Sequence, residues 1–197
     1  MLRLFSSLVG GWVERERLVE QLRSANATLA NLALADPLTG LPNRRAIVDE
    51  LRRLLARATR EGKKVLVGLV DMDGFKAIND TYGHSAGDQL LAEAARRMRE
   101  CLRATDTLGR IGGDEFVVIA PGPHEEGAHE AAALALQNRL SMATVGMYAV
   151  GRNELNYVGA SAGVVSIDPL DIDAEEALRL ADAQMYMVKQ GRKHLAR

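Results

Sequence analysis

An α+β domain with a mixed, largely antiparallel central sheet flanked by helices is the fold this sequence predicts, with a helical extension at its N-terminus. Three observations lead there. Residues 65–70 (Val-Leu-Val-Gly-Leu-Val) are a short apolar run rich in branched side chains, as a buried strand requires, and the run closes on Asp71-Met72-Asp73. Residues 107–120 carry two further strand-like runs around Gly112-Gly113, a pair with the turn freedom that a hairpin needs. Helical periodicities alternate with these strands, yet one strand pair is a hairpin, so the sheet is not doubly wound.

Taken in order, residues 14–34 are charged and alanine-rich, with Leu18, Leu22, Ala25, Leu29 and Leu32 spaced 4, 3, 4, 3 as a heptad seam. Two heptads make only ~21 Å of helix, marginal for a coiled coil by itself. Residues 1–34 are therefore either a dimerising stalk or an amphipathic helix folded back on its own domain, and residues 35–197 are the globular domain. Asp36-Pro37 breaks the helix, and residues 38–43 form a turn. Asn43 caps the next helix, which runs to about Arg60 with Ile47, Leu51, Leu54 and Leu55 on its apolar face and stops at Gly62. After the 65–70 strand come a loop and a long helix over residues 85–102, with Leu90, Leu91, Ala94, Ala95 and Met98 turned inward. The hairpin follows, then a loop at 124–127, a helix over 128–142, a strand over 155–167 and a last helix over 174–189.

Composition bounds the partners. The chain has 197 residues, 47% of them hydrophobic, which suits one domain plus an extension and excludes disorder. A net charge of -1 gives no overall electrostatic case for DNA or an anionic membrane surface, so any nucleotide site must be local. The lone cysteine, Cys101, lies in a helical pattern and reads as a half-buried core thiol in a reducing compartment. No run approaches the ~18 apolar residues of a membrane span, and residues 2–11 lack a signal-peptide pattern. A cytoplasmic location is expected.

The carboxylates carry the chemistry. Asp71 ends one strand and Asp114-Glu115 stand at the tip of the hairpin, so the two acidic clusters could meet across a sheet. Carboxylates gathered this way repel one another unless a cation lies between them. Magnesium, which takes hard oxygen ligands and commonly binds one or two carboxylates plus substrate phosphates, is the natural candidate. There is no Gly-x-x-x-x-Gly-Lys-Ser/Thr sequence, so this is not a P-loop NTPase.

Four motifs in order carry a resemblance. They are Asp36-Pro37-Leu38-Thr39-Gly40-Leu41-Pro42-Asn43-Arg44-Arg45, Asp71-Met72-Asp73-Gly74-Phe75-Lys76-Ala77-Ile78-Asn79-Asp80, Gly83-His84-Ser85-Ala86-Gly87-Asp88 and Arg110-Ile111-Gly112-Gly113-Asp114-Glu115-Phe116. On these the chain resembles the GGDEF domain, the catalytic module of diguanylate cyclases, with a nucleotide-cyclase, palm-like fold. The resemblance implies condensation of two GTP into cyclic di-GMP with release of two pyrophosphates, by a homodimer with two Mg2+ per half-site, Mn2+ being a possible substitute. It implies a metal site of Asp71, the Met72 carbonyl, Asp114 and Glu115, with Asp73 as a supporting acid. Asp114 is also the implied proton acceptor, and Lys76 the charge on the reacting phosphoryl group. Asn79 and Asp88 are implied to read guanine, with His84 beside them. The turn at Gly74-Phe75-Lys76 would offer amides to the β and γ phosphates, and Lys189 would bind the triphosphate. The family's Lys-x-x-Gly-Arg appears here as Lys189-Gln190-Gly191-Arg192, one residue shorter, so Arg192 or Lys193 is the second contact. Arg103 and Asp106 fall at the family's inhibitory product site, the alternative being a helix-terminal ion pair. A fused or separate sensory or receiver domain is expected. Two other readings are a silent nucleotide-binding effector and a cyclase acting on ATP.

Overall fold

The structure, a computed structural model, describes residues 16–17, 34–125 and 127–195. The heptad seam over residues 18–32 lies outside them. The elements are α1 (Arg44–Glu61), β1 (Val65–Met72), α2 (Phe75–Tyr82), α3 (His84–Cys101), β2 (Thr107–Gly112), β3 (Glu115–Pro121), α4 (His129–Ala143), β4 (Gly146–Val150), β5 (Asn153–Tyr157), β6 (Ala160–Ile167) and α5 (Ala174–Leu195). Helix α1 starts and stops where its sequence says. The Asn43 side chain accepts from the Ala46 amide at 3.0 Å, a cap that contributes about 1 kcal/mol, and Gly62 ends the helix in the left-handed region at φ 62°.

Four strands form one sheet in the order β2-β3-β1-β6, and each of its ladders is antiparallel. The expected class stands, without any parallel pair among the described residues. Strand β1 lies in the interior of the sheet and is covered on both faces, which is why its run is continuously apolar rather than alternating. Leu66 and Val70 enter a core that also holds Leu90, Leu91, Met98, Leu136 and Leu140 from α3 and α4. Val65, Val67 and Leu69 enter a second core with Ile47 and Leu51 of α1 and Ala177 and Ala181 of α5. Helix α5 approaches the sheet closely at Gly163, where an added Cβ would lie 2.0 Å from the Met185 amide nitrogen. That approach carries the last turns of α5 to the Asp71 end of β1.

Two expectations need correction. The stretch after Asp73, read as loop, is the helix α2; with eight residues, a glycine at its N-cap and only Ile78 fully buried, it is too short to show a period. The strand read over 155–167 is two strands, broken at Val158-Gly159 with Gly159 at φ 97°. Its first part pairs with β4, absent from the sequence reading, in a separate two-stranded sheet. Arg97 covers this hairpin, its guanidinium 3.9 Å from the centre of the Tyr148 ring. Cys101 is half-buried as expected, with its thiol donating to the Met98 carbonyl. Among the described residues no helix is long and apolar enough to cross a membrane.

Candidate active site

The two acidic clusters meet. Asp71 is registered opposite Glu115 on β3 and opposite Ser161 on β6, and the Met72 amide donates to the Asp114 carbonyl at 3.2 Å. The turn that presents Asp114 needs its glycines, with φ 152° at Gly112 and 47° at Gly113. Arg110 fixes this turn from outside. Its Nε and Nη2 donate to the Gly113 carbonyl at 3.0 and 2.7 Å, and its Nη1 donates to the Asp36 carboxylate at 3.0 and 3.1 Å. Asp36 in turn accepts from the Thr39 amide and hydroxyl. The turn at residues 36–43 is thus a brace for the hairpin.

Charge has gathered at the strand ends. Burial pushes the Asp114 carboxyl above its usual range, and the Asp71 charge adds to this. Burial also raises Glu115, followed by Asp71, Asp114 and Asp182, with Arg44 opposing. Lys189 reaches into the same place and lies 2.5 Å from Asp71 Oδ1. Burial works against its charge but is outweighed by the hydrogen bond and attraction of Asp71 and by the charges of Asp73 and Asp114, so its pKa is raised. Asp73 accepts from the Ser161 hydroxyl at 2.8 and 2.9 Å and lies 3.3 Å from Arg192 Nη1. Arg192 also donates to the carbonyls of Ala160 and Val158, which ties the end of α5 to the start of β6. The side chain of Lys193 lies outside the described residues.

Among the described residues no three His, Cys, Asp or Glu side chains converge into a ready-made metal cage. The donor set still fits magnesium, because Asp71, Asp114, Glu115 and the Met72 carbonyl are all hard oxygens and substrate phosphates complete such sites. Burial raises the carboxyls of Asp114 and Glu115 most, and the repulsion that Asp71 adds to each is one a cation would relieve.

On the nucleotide side, Gly74 opens α2 at φ 72° with no side-chain cap. Lys76 is exposed and makes no ion pair among the described residues. Asn79 has a buried Oδ1 without a hydrogen-bond partner. An added Cβ at Gly87 would lie 1.9 Å from that oxygen and 3.1 Å from the half-buried Phe75 ring. The Asn79 amide, the Phe75 ring and the bare Gly87 backbone therefore share one wall, with an orphaned acceptor in it. His84 and Asp88, both exposed, fall four residues apart on one face of α3.

Arg103 and Asp106 are elsewhere. They precede β2, whose far end carries Gly112, so a strand of roughly 17 Å separates them from the carboxylates. The Arg103 side chain makes no ion pair with Asp106; its backbone amide instead donates a hydrogen bond to Asp106 Oδ2 at 3.0 Å. Asp106, 4% exposed, instead meets Arg139 Nη2 of α4 at 3.5 Å, and the Nε of Arg139 is buried without a partner. These three residues line a cleft of about 450 Å³ with Leu66, Pro121 and His124. Sequence reasoning missed Arg139, Ser161, the Arg110 brace and the Gly87 contact. Arg139 and Ser161 lie in ordinary helical and strand patterns with no local signal; Arg110 and Gly87 sit inside motifs already singled out.

The comparisons agree with this geometry. The family model described as "Diguanylate cyclase, GGDEF domain" matches residues 33–194. Diguanylate cyclase DgcP of Escherichia coli (strain K12) is 40% identical over 96% of this chain and 54% of its own length. Response regulator PleD of Caulobacter vibrioides is 39% identical over 93% of this chain and 40% of its own length. The chain thus spans about half or less of these curated relatives. Among solved structures, a sensory box/GGDEF family protein from Caulobacter crescentus CB15 superposes with a TM-score of 0.74 at 34% identity, over 81% of this chain and 99% of that one. The coiled coil and GGDEF domain of DgcB from Caulobacter crescentus, in complex with c-di-GMP, superposes with a TM-score of 0.70 at 28% identity, over 94% and 95%. With the family model spanning the whole described domain and the acidic hairpin paired to Asp71 as the motifs require, the chain belongs to the GGDEF domain family of diguanylate cyclases.

Proposed function

We propose that this chain is a diguanylate cyclase that condenses two GTP into cyclic di-GMP and releases two pyrophosphates. The observation that carries the reading is the pairing of Asp71 with Glu115 across the sheet, with Asp114 on the turn beside them. The 3′ oxygen of one GTP attacks the α-phosphorus of another. A new P–O bond forms, the bond to pyrophosphate breaks, and the hydroxyl proton passes to the Asp114 carboxylate. Burial of Asp114 raises its affinity for that proton. Magnesium, or manganese in its place, would be held by Asp71, Asp114, Glu115 and the Met72 carbonyl, two ions per half-site, and would supply charge to the triphosphate and a lower pKa to the hydroxyl.

The chain's own groups do the rest. Lys76 brings positive charge to the reacting phosphoryl oxygens, and Lys189 takes triphosphate oxygens, with Arg192 or Lys193 second. The Asn79 amide and the Asp88 carboxylate read the guanine edge, His84 lies beside them, and the Phe75 turn offers amides to the phosphates. Adenine would leave Asp88 unpaired, at a cost of ~1–3 kcal/mol or more. One domain presents one such site, so the cyclic product needs two copies face to face, each delivering a hydroxyl to the other's phosphorus. Residues 1–34 serve as the stalk of that homodimer, and a sensory or receiver domain controls it. The Arg103, Asp106 and Arg139 cleft binds the cyclic product as an inhibitor. Guanidinium forks match guanine and phosphate acceptors.

Incubation with GTP or ATP plus magnesium, followed by mass analysis, tests the reading. Cyclic di-GMP from GTP alone is expected. Binding without turnover would make the chain a silent effector instead, and a product from ATP would displace the guanine assignment.

A further inference from the structure

Lys189 comes to Asp71 from 118 residues away, and their side chains are 25% and 14% exposed. What brings the lysine there is the docking of α5 rather than a local preference. Gly163 admits the helix backbone against β6, Ala181 and Met185 are buried beneath it, and Arg192, one turn past Lys189, is bonded to the Val158 and Ala160 carbonyls. The ammonium is thus delivered by a fixed helix.

On the proposed function, on which this inference rests, Asp71 ligates a divalent cation and Lys189 the triphosphate. An ammonium held by Asp71 Oδ1 at 2.5 Å and a dication bound to the same carboxylate near ~2.1 Å would lie close together and repel. A free dication entering alone gives Asp71 a new partner but takes from the part-buried ammonium of Lys189 its hydrogen-bonded carboxylate, leaving it only the charges of Asp73 and Asp114. A dication arriving on a triphosphate satisfies both, since the phosphates accept the displaced lysine. We propose that Lys189 is a tethered substitute cation, which closes the Asp71 site to free divalent ions and yields it only to a metal–triphosphate complex.

The coupling is reciprocal, so it is measurable without nucleotide. The probe is Mn2+ alone, titrated into nucleotide-free protein and followed by the electron paramagnetic resonance of the free ion. Lys189→Met should bind Mn2+ about tenfold tighter than the parent chain, within the usual range of coupling between sites. Lys189→Arg, which keeps the charge, should stay close to the parent. Equal or weaker binding by Lys189→Met overturns the proposal. A second measurement needs no variant: saturating Mn2+ should speed reductive methylation of Lys189 several-fold, and an unchanged labelling rate also overturns it. Assaying the same samples with GTP separates the two readings. Equal Mn2+ affinities with cyclic di-GMP still formed would remove the gate and leave the cyclase. Tighter binding by Lys189→Met with no product from the parent chain would leave the gate and remove the cyclase.

Discussion

Replacing Arg110 by alanine should loosen the acidic hairpin without touching any carboxylate of the site. The guanidinium makes two hydrogen bonds to the Gly113 carbonyl and two to Asp36, between 2.7 and 3.1 Å. Its side chain is 13% exposed and that of Asp36 16%. A fully buried pair costs ~3–5 kcal/mol to break and an exposed one under ~1, and ordering a long arginine already costs up to ~2. The expected loss is about 2 kcal/mol, or roughly 4–8 °C in Tm for a domain of this size. Burial alone would raise the Asp36 carboxyl, but its bonds to Thr39 and Arg110 outweigh that and hold it below the usual value. A depressed carboxyl contributes stability that is present above its unfolded pKa and lost as pH falls through the folded one. The gap between parent and variant should therefore narrow below about pH 4. Urea unfolding from pH 3 to 7 measures both effects. A loss below about 0.5 kcal/mol at neutral pH, or a gap that widens in acid, would show that the brace carries no stability.

Four other outcomes are expected. Asp114→Asn should keep the fold, by circular dichroism, and lose cyclic di-GMP synthesis by ~100-fold or more, because a proton acceptor is removed from a half-exposed turn. Gly87→Ala would place its Cβ 1.9 Å from Asn79 Oδ1, and displacing that amide should lower kcat/KM for GTP by roughly 5- to 150-fold with little change in Tm. Arg103→Ala and Arg139→Ala should each weaken inhibition by added cyclic di-GMP at an unchanged initial rate, since both lie at the Thr107 end of β2, away from the carboxylates; unaltered inhibition would reduce the cleft to a structural ion pair. Specific activity should rise with protein concentration, and Leu22→Glu with Leu29→Glu should depress it most at low concentration; equal activity at all concentrations would withdraw the stalk.

What could be read in the sequence was local. The branched run before Asp71, the Gly112-Gly113 turn, the Asn43 cap and the Gly62 stop each depend on a few neighbouring residues, and each falls where expected. Helix α2 escaped because eight residues give barely two turns, and β5 merged with β6 because only Val158-Gly159 interrupts an otherwise strand-like run. The site divides the same way. Its acidic residues stand out by type at strand ends, whereas the partners that set their behaviour come from distant segments: Arg110 from Asp36, 74 residues away, and Lys189 from Asp71, 118 away. Such pairings leave no period or composition in the chain. They follow from where helices can approach the sheet, and here one glycine decides much of it. A side chain at Gly163 would collide with the backbone of α5 at Met185, lift that helix from β6 and carry Lys189 away from Asp71. The arrangement of charge at the carboxylates is thus a consequence of packing on the far side of the same strand ends, and a substitution there should alter metal affinity and, through Lys189, triphosphate binding without replacing any residue that touches substrate.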